Sequence, residues 1–153
     1  MNFMTAARIA IWRELEQDPK LAADIAGATQ YKFTSGELLK AIIDAESFIA
    51  PFVAMLPAKG DDSALTNISN EWHYRVALRF GAPGRDAEPT ERFVSDLLDR
   101  VYQPQTSSYG LTDEGFMRLV VEDADWEDIS TGKEIKGWVV ETTLRLVFIK
   151  QRR

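Results

Sequence analysis

From Trp72 to Phe80 apolar and polar side chains alternate without interruption, and this stretch constrains the fold more than any other. Trp72, Tyr74, Val76, Leu78 and Phe80 fall on one side of an extended chain, and His73, Arg75, Ala77 and Arg79 fall on the other. A period of two is that of a β-strand. A clean two-sided split means that one face is buried while the other is wet or meets a partner. A second such run lies between Glu134 and Lys150. There Trp138, Val140, Thr142, Leu144, Leu146 and Phe148 share a face, opposite Val139, Glu141, Thr143, Arg145, Val147 and Ile149. Ser130-Thr131-Gly132-Lys133 turns back to a strand predicted from Phe116 to about Trp126, so these two form a hairpin. A shorter strand is predicted at Phe52–Leu56, closed by Pro57 and a polar loop through Gly60-Asp61-Asp62.

Around these strands the apolar spacing is helical. In residues 3–17 Phe3, Ala7, Ile11 and Leu15 recur at steps of four, with Ile9 and Trp12 alongside and Arg8, Arg13, Glu14 and Glu16 on the other side. Pro19 disfavours helical geometry at Asp18 and marks a break, followed by a short turn over Lys20–Ala26. Thr34 and Glu37 have the spacing of a capping box and predict a helix running to about Ser47. Phe93, Leu97, Leu98 and Val101 predict another, with Pro89 in its first turn and Pro104 beyond its end. The order is helix, helix, strand, strand, helix, strand, strand. It is most simply an α+β domain spanning 1–153, with about four mostly antiparallel strands and the helices on one face.

The 153 residues carry a net charge of −6, which argues against a surface built to grip a nucleic-acid backbone. The chain has no cysteine, so disulfides and thiolate metal sites are excluded. Charges at Arg8, Arg13, Glu14 and Glu16 interrupt what would be a signal-peptide core, and no apolar run is long enough to span a bilayer. The expectation is a protein soluble where it is made, without membrane attachment.

The densest charge is acidic: Glu122, Asp123, Asp125, Glu127 and Asp128. A calcium loop would need polar ligands at alternating positions and a central Gly. Trp126 and Ile129 break that pattern, so no metal is expected here. Acid–base pairs are usually set across a pocket from separate elements, whereas a row along one hairpin stays solvated and ionised. On the residues alone the row reads as a charged hairpin tip; its functional version is electrostatic, a negative surface that lets a polyanion pass without sticking. His73 is the only histidine and has no Ser elbow or Cys to serve, and Gly81–Asp86 lacks the spacing of a phosphate loop. No catalytic residue and no cofactor is therefore expected. Arg75, Arg79 and Arg145, with the basic Lys150–Arg153, are the only hints of a basic surface. Arg75 and Arg79 are placed to pair with Glu141 across the sheet or with carboxylates of a neighbouring subunit.

The helix in "IWRELEQDPKLAADI", the strands "PFVAMLP" and "EWHYRVALRFG", the helix "ERFVSDLLDRVY" and the closing hairpin "FMRLVVEDADW…WVVETTLRLVFIK" together resemble the tail terminator (tail-tube completion) proteins of tailed bacteriophages and prophages. The resemblance implies a virion protein of the tail or neck, assembled in the host cytoplasm as a ring of six subunits. Such a ring caps the tail tube protein, ends its polymerisation, offers a surface to the head-side connector protein and lets DNA through. It implies no enzymatic activity. On this resemblance Glu122, Asp123, Asp125, Glu127, Asp128, Arg75, Arg79, Glu141 and Arg145 belong to the channel or to the contact between subunits. The extra helical segment "YKFTSGELLKAIIDAESFI" departs from the pattern. The alternatives are another neck or head–tail joining protein, or a small non-enzymatic α+β binding module; an enzyme ranks behind both.

Overall fold

A computed structural model describes residues 2–42, 48–58, 64–102 and 116–148. The elements are α1 (Phe3–Glu16), α2 (Pro19–Ala26), β1 (Thr29–Tyr31), α3 (Gly36–Ile42), β2 (Phe52–Pro57), β3 (Leu65–Ile68), β4 (Glu71–Pro83), α4 (Glu88–Val101), β5 (Phe116–Thr131) and β6 (Glu134–Phe148). The architecture is α+β, with one mixed sheet in the order β1-β2-β4-β6-β5 and β3 paired to β4 off that path. Six strands replace the four expected. The two missed ones are three and four residues long, too short for a period of two to register. β1 lies parallel to β2, and every other pairing is antiparallel.

The alternation in β4 and β6 acts as its period requires. Residues directly opposite across antiparallel strands share a face, and Tyr74, Val76, Leu78 and Phe80 stand beside Leu146, Leu144, Thr142 and Val140. These side chains meet α1, α2 and α4 in one core that includes Ala7, Ile11, Leu15, Leu21, Ile25, Phe93 and Leu97. Phe80 and Phe93 stack with ring centres 4.3 Å apart. Local chemistry starts the helices where they start. Asn2 Oδ1 accepts from the Thr5 N–H at 2.9 Å, and Asp18 Oδ1 accepts from Lys20 and Leu21 ahead of Pro19.

The expectation that all helices share one face is corrected. α3 lies on the other side of the sheet, where Leu39 and Phe48 join Phe52, Ala54, Leu56 and Ala77 in a second, smaller core. The reason is in β2. Its residues Phe52 to Leu56 are all buried, because a continuous apolar run has two faces to cover and not one. Gly137 makes room for this layer, since a Cβ there would stand 2.0 Å from the Phe48 ring. The capping box is also corrected. The Thr34 N–H bonds Met55 O at the sheet edge, and Ser35 Oγ instead accepts from the Leu38 N–H at 3.2 Å. The helix thus begins one residue later than expected, and the part expected from 43 to 47 lies outside the described residues.

Candidate functional site

β5 and β6 close through a two-residue turn, Gly132-Lys133, with Gly132 at φ +62°. The acidic residues lie along β5, and a β-bulge decides where each one points. Val121 pairs with Leu144 and Asp123 with Thr143, so Glu122 is an extra residue without its own partner. Before the bulge, Leu119 and Val121 turn to the main core; after it, Ala124 does. An uninterrupted alternation would have carried Val121's face on to Asp123, Asp125 and Glu127 and driven three carboxylates under the helices. The inserted residue reverses the phase. Asp123, Asp125 and Glu127 instead stand opposite Thr143, Glu141 and Val139 on the second face.

The cluster is therefore divided. Trp126 and Asp128 stand opposite Val140 and Trp138 on the helical side, and the Trp126 Nε1–H donates to Thr90 Oγ1 of α4 at 3.1 Å. Asp123, Asp125, Glu127 and Asp128 are all exposed. Of the five, Glu122, Asp123, Asp125 and Glu127 share the second face, and Asp128 does not belong with them.

Two charge ladders cross that face. Arg75 and Arg145 are direct partners in the β4–β6 register, an unfavourable juxtaposition of like charges. Glu122 offsets it from the bulge, with Oε1 2.8 Å from Arg75 Nε and 3.8 Å from Arg145 Nε. The second ladder is Arg79–Glu141–Asp125: Arg79 Nε lies 2.7 Å from Glu141 Oε1, and Asp125 stands directly opposite Glu141. The sequence pairing of Arg79 with Glu141 thus holds, whereas Arg75 pairs with Glu122. Partly solvated pairs of this kind contribute about 0–1 kcal/mol each and serve mainly to fix the charge pattern. A groove of about 280 Å³ opens beside the second ladder, floored by Leu39, Phe52, Ile129 and Val139 and rimmed by Lys40 and Glu127.

Two polar groups assigned to wet faces are buried. Glu14 is 1% exposed, and its Oε1 meets Arg100 Nη2 at 2.7 Å and Nε at 3.0 Å, joining α1 to α4. His73 is 5% exposed, with Nε2 3.4 Å from Glu71 Oε2. Neither ring nitrogen has a hydrogen-bond partner among the described residues. Among the described residues no group of three His, Asp or Glu side chains is arranged to hold a metal ion, and no helix is long and apolar enough to cross a membrane.

Sequence reasoning missed a second surface, at the opposite edge of the sheet. There α1 and the residues following β1 enclose a groove of about 420 Å³ lined by Arg8, Ile9, Trp12, Arg13, Lys32 and Phe33. Arg8 sits 4.0 Å over the Phe33 ring, Lys32 Nζ 4.3 Å over the Trp12 ring, and the Trp12 Nε1–H donates to Lys32 O at 3.0 Å. The available signal was the adjacency of Lys32 and Phe33 to a helix carrying Arg8 and Arg13, but which face of that helix they meet is not local information. No protein-family model and no curated protein matches the chain.

Proposed function

We propose that this chain is a structural subunit of the tail terminator kind. Copies of it close into a ring of about six around an opening through which DNA passes, with one side of the ring on the tail tube and the other toward the head-side connector. The observation that carries this reading is the row Glu122, Asp123, Asp125 and Glu127 brought onto one exposed sheet face by a bulge. Carboxylates spread along a strand, most of them exposed, are suited to act by their summed field. Around a passage they repel a polyanion and keep it from adhering.

The test has two parts. Light scattering and negative-stain imaging of the protein should give particles of about six subunits with a central opening. In a phage carrying the gene, replacing Asp123→Asn, Asp125→Asn and Glu127→Gln together should leave the subunit folded and impair ring assembly or DNA delivery. A single-subunit particle at every concentration and in the presence of tail tubes, together with unchanged infectivity of the triple variant, would overturn the reading. A second reading, a small binding module, is favoured by the half-apolar groove beside Glu141; a small ligand saturating that groove in an isolated subunit would support it instead.

A further inference from the structure

The two surfaces just described lie at opposite edges of one sheet and carry opposite charge. Among the described residues that line it, the groove on α1 carries Arg8, Arg13 and Lys32 and one carboxylate, Glu16, which pairs with Lys32 at 3.0 Å, so its lining is net cationic on a chain of net charge −6. Its floor is apolar through Ile9 and Trp12, and Phe33 at its rim is 43% exposed. At the far edge, β5 pairs only with β6 among the described residues. Trp126, 42% exposed, and Asp128 lie on the helical side of this edge strand, with Asp125 and Glu127 on its other side.

The β5 edge is also tied to α4. The Trp126 Nε1–H is held by Thr90, and at the other end of α4 the Tyr102 hydroxyl accepts from the Val121 N–H and donates to Val121 O, both at 3.2 Å. Thr90 to Tyr102 is about 18 Å of helix at 1.5 Å per residue. Val121 to Trp126 is about 17 Å of strand. Helix and edge strand therefore run side by side, antiparallel, tied at both ends. Leu98 and Tyr102, 39% and 55% exposed, are the exposed apolar residues of that helix. A partly exposed aromatic side chain held by its own subunit is a common anchor of a protein contact.

We infer that the cationic α1 groove receives the acidic β5 edge of a second copy of this chain, with Trp126 entering between Arg8, Arg13, Lys32 and Phe33. Within one subunit the two cannot meet, because four strand spacings of about 4.8 Å separate β1 from β5. Pairing β5 with β5 would set five carboxylates against five. The groove is the complementary surface. A contact between different patches at opposite edges is heterologous, so each added copy exposes a fresh edge, and the series closes into a ring when the rotation per step allows. The inference rests on the ring reading for closure, with Glu127 and Asp128 at the seam and Glu122, Asp123 and Asp125 left to face the passage; the pairwise contact stands without it.

Charge exchange tests it. One variant carries Arg13→Glu and Lys32→Glu, the other Glu127→Lys and Asp128→Lys; all four positions are exposed, and circular dichroism with thermal unfolding checks that each variant folds. Sedimentation velocity across a concentration series, at low and high salt, then gives the mass of the parent, each variant and their equal mixture. Each variant alone should self-associate at least about tenfold more weakly than the parent, and the mixture should regain the parental mass, since both of its mixed contacts are again between opposite charges. Salt should weaken the parental assembly. A parent that forms rings while both variants also form them overturns this contact and leaves the ring reading intact. A mixture that associates as the parent does, but into open chains, supports the contact and overturns the ring. A parent and a mixture that both stay single-subunit throughout overturn both.

Discussion

The two faces of the sheet are made by the same strands and obey different physics. On the helical face, Val76, Leu78, Leu144 and Leu146 have lost essentially all contact with water, and position is dictated by volume. On the second face, the side chains one residue away are Arg75, Arg79, Glu141 and Arg145, whose positions are dictated by which charge stands opposite. A cavity on the first face removes stability from the subunit. A charge change on the second leaves the subunit folded and alters what can approach it. One strand pair can therefore carry a packing code and a charge code in alternate residues.

The sharpest way to break this separation is to carry the chemistry of one face onto the other. Leu144→Asp should place a carboxylate at a fully buried position under the helices. Burying an unpaired carboxylate costs several kcal/mol, so no folded subunit is expected by circular dichroism or by dispersion of its NMR spectrum. Leu144→Ala, at a fully buried position on the helical face, should cost about 3–4 kcal/mol in denaturant unfolding. Glu14→Ala should cost about 1–3 kcal/mol by the same measurement, because half-buried Arg100 loses its charged partner and keeps, among the described residues, only Gln17 Oε1 at 3.1 Å. Gly137→Ala tests the point where the second face behaves like the first. Its new methyl meets the Phe48 ring and Ala82 O, and a loss of about 1–3 kcal/mol is expected, against less than about 0.5 kcal/mol for Asp125→Asn on the same face.

The smallest effect is one of pH. Burial pushes the Asp24 carboxyl above its ordinary 3.8, with Arg92 opposing and Asp96 adding to the shift. The native state therefore holds that proton more firmly than the unfolded chain, and ionisation costs native stability. The cost is absent below 3.8, where both states are protonated, and complete above the raised native value. Asp24→Asn should then raise the melting temperature slightly at neutral pH and leave it unchanged in acid. Because the group is largely solvated, well under about 1 kcal/mol is at stake.

How much of this was legible in the chain depends on how far each decision reaches. The faces of β4 and β6, the hairpin, and the apolar faces of α1 and α4 follow from periods of two and nearly four that need only neighbours in sequence. β2 was legible as a strand, and its unbroken apolar run also held the sign that a second layer must cover it, which explains α3. β1 and β3 were not legible, because strands of three and four residues are defined by the neighbour they pair with. The burial of Glu14 depends on Arg100, 86 residues away, and no local pattern carries that.

What the sequence determined by itself was the inventory: strands with two unlike faces, helices with one apolar side, a concentrated run of carboxylates and no thiol. The tertiary structure alone decided where that charge points. The phase of β5 is set by a single extra residue whose place in the register exists only when Leu144 and Thr143 of β6 lie beside it. The cationic groove likewise exists only when Lys32 and Phe33 are brought against Trp12 and Arg8. Periodicity is local and can be read along the chain, whereas register and juxtaposition arise only between segments once they have met.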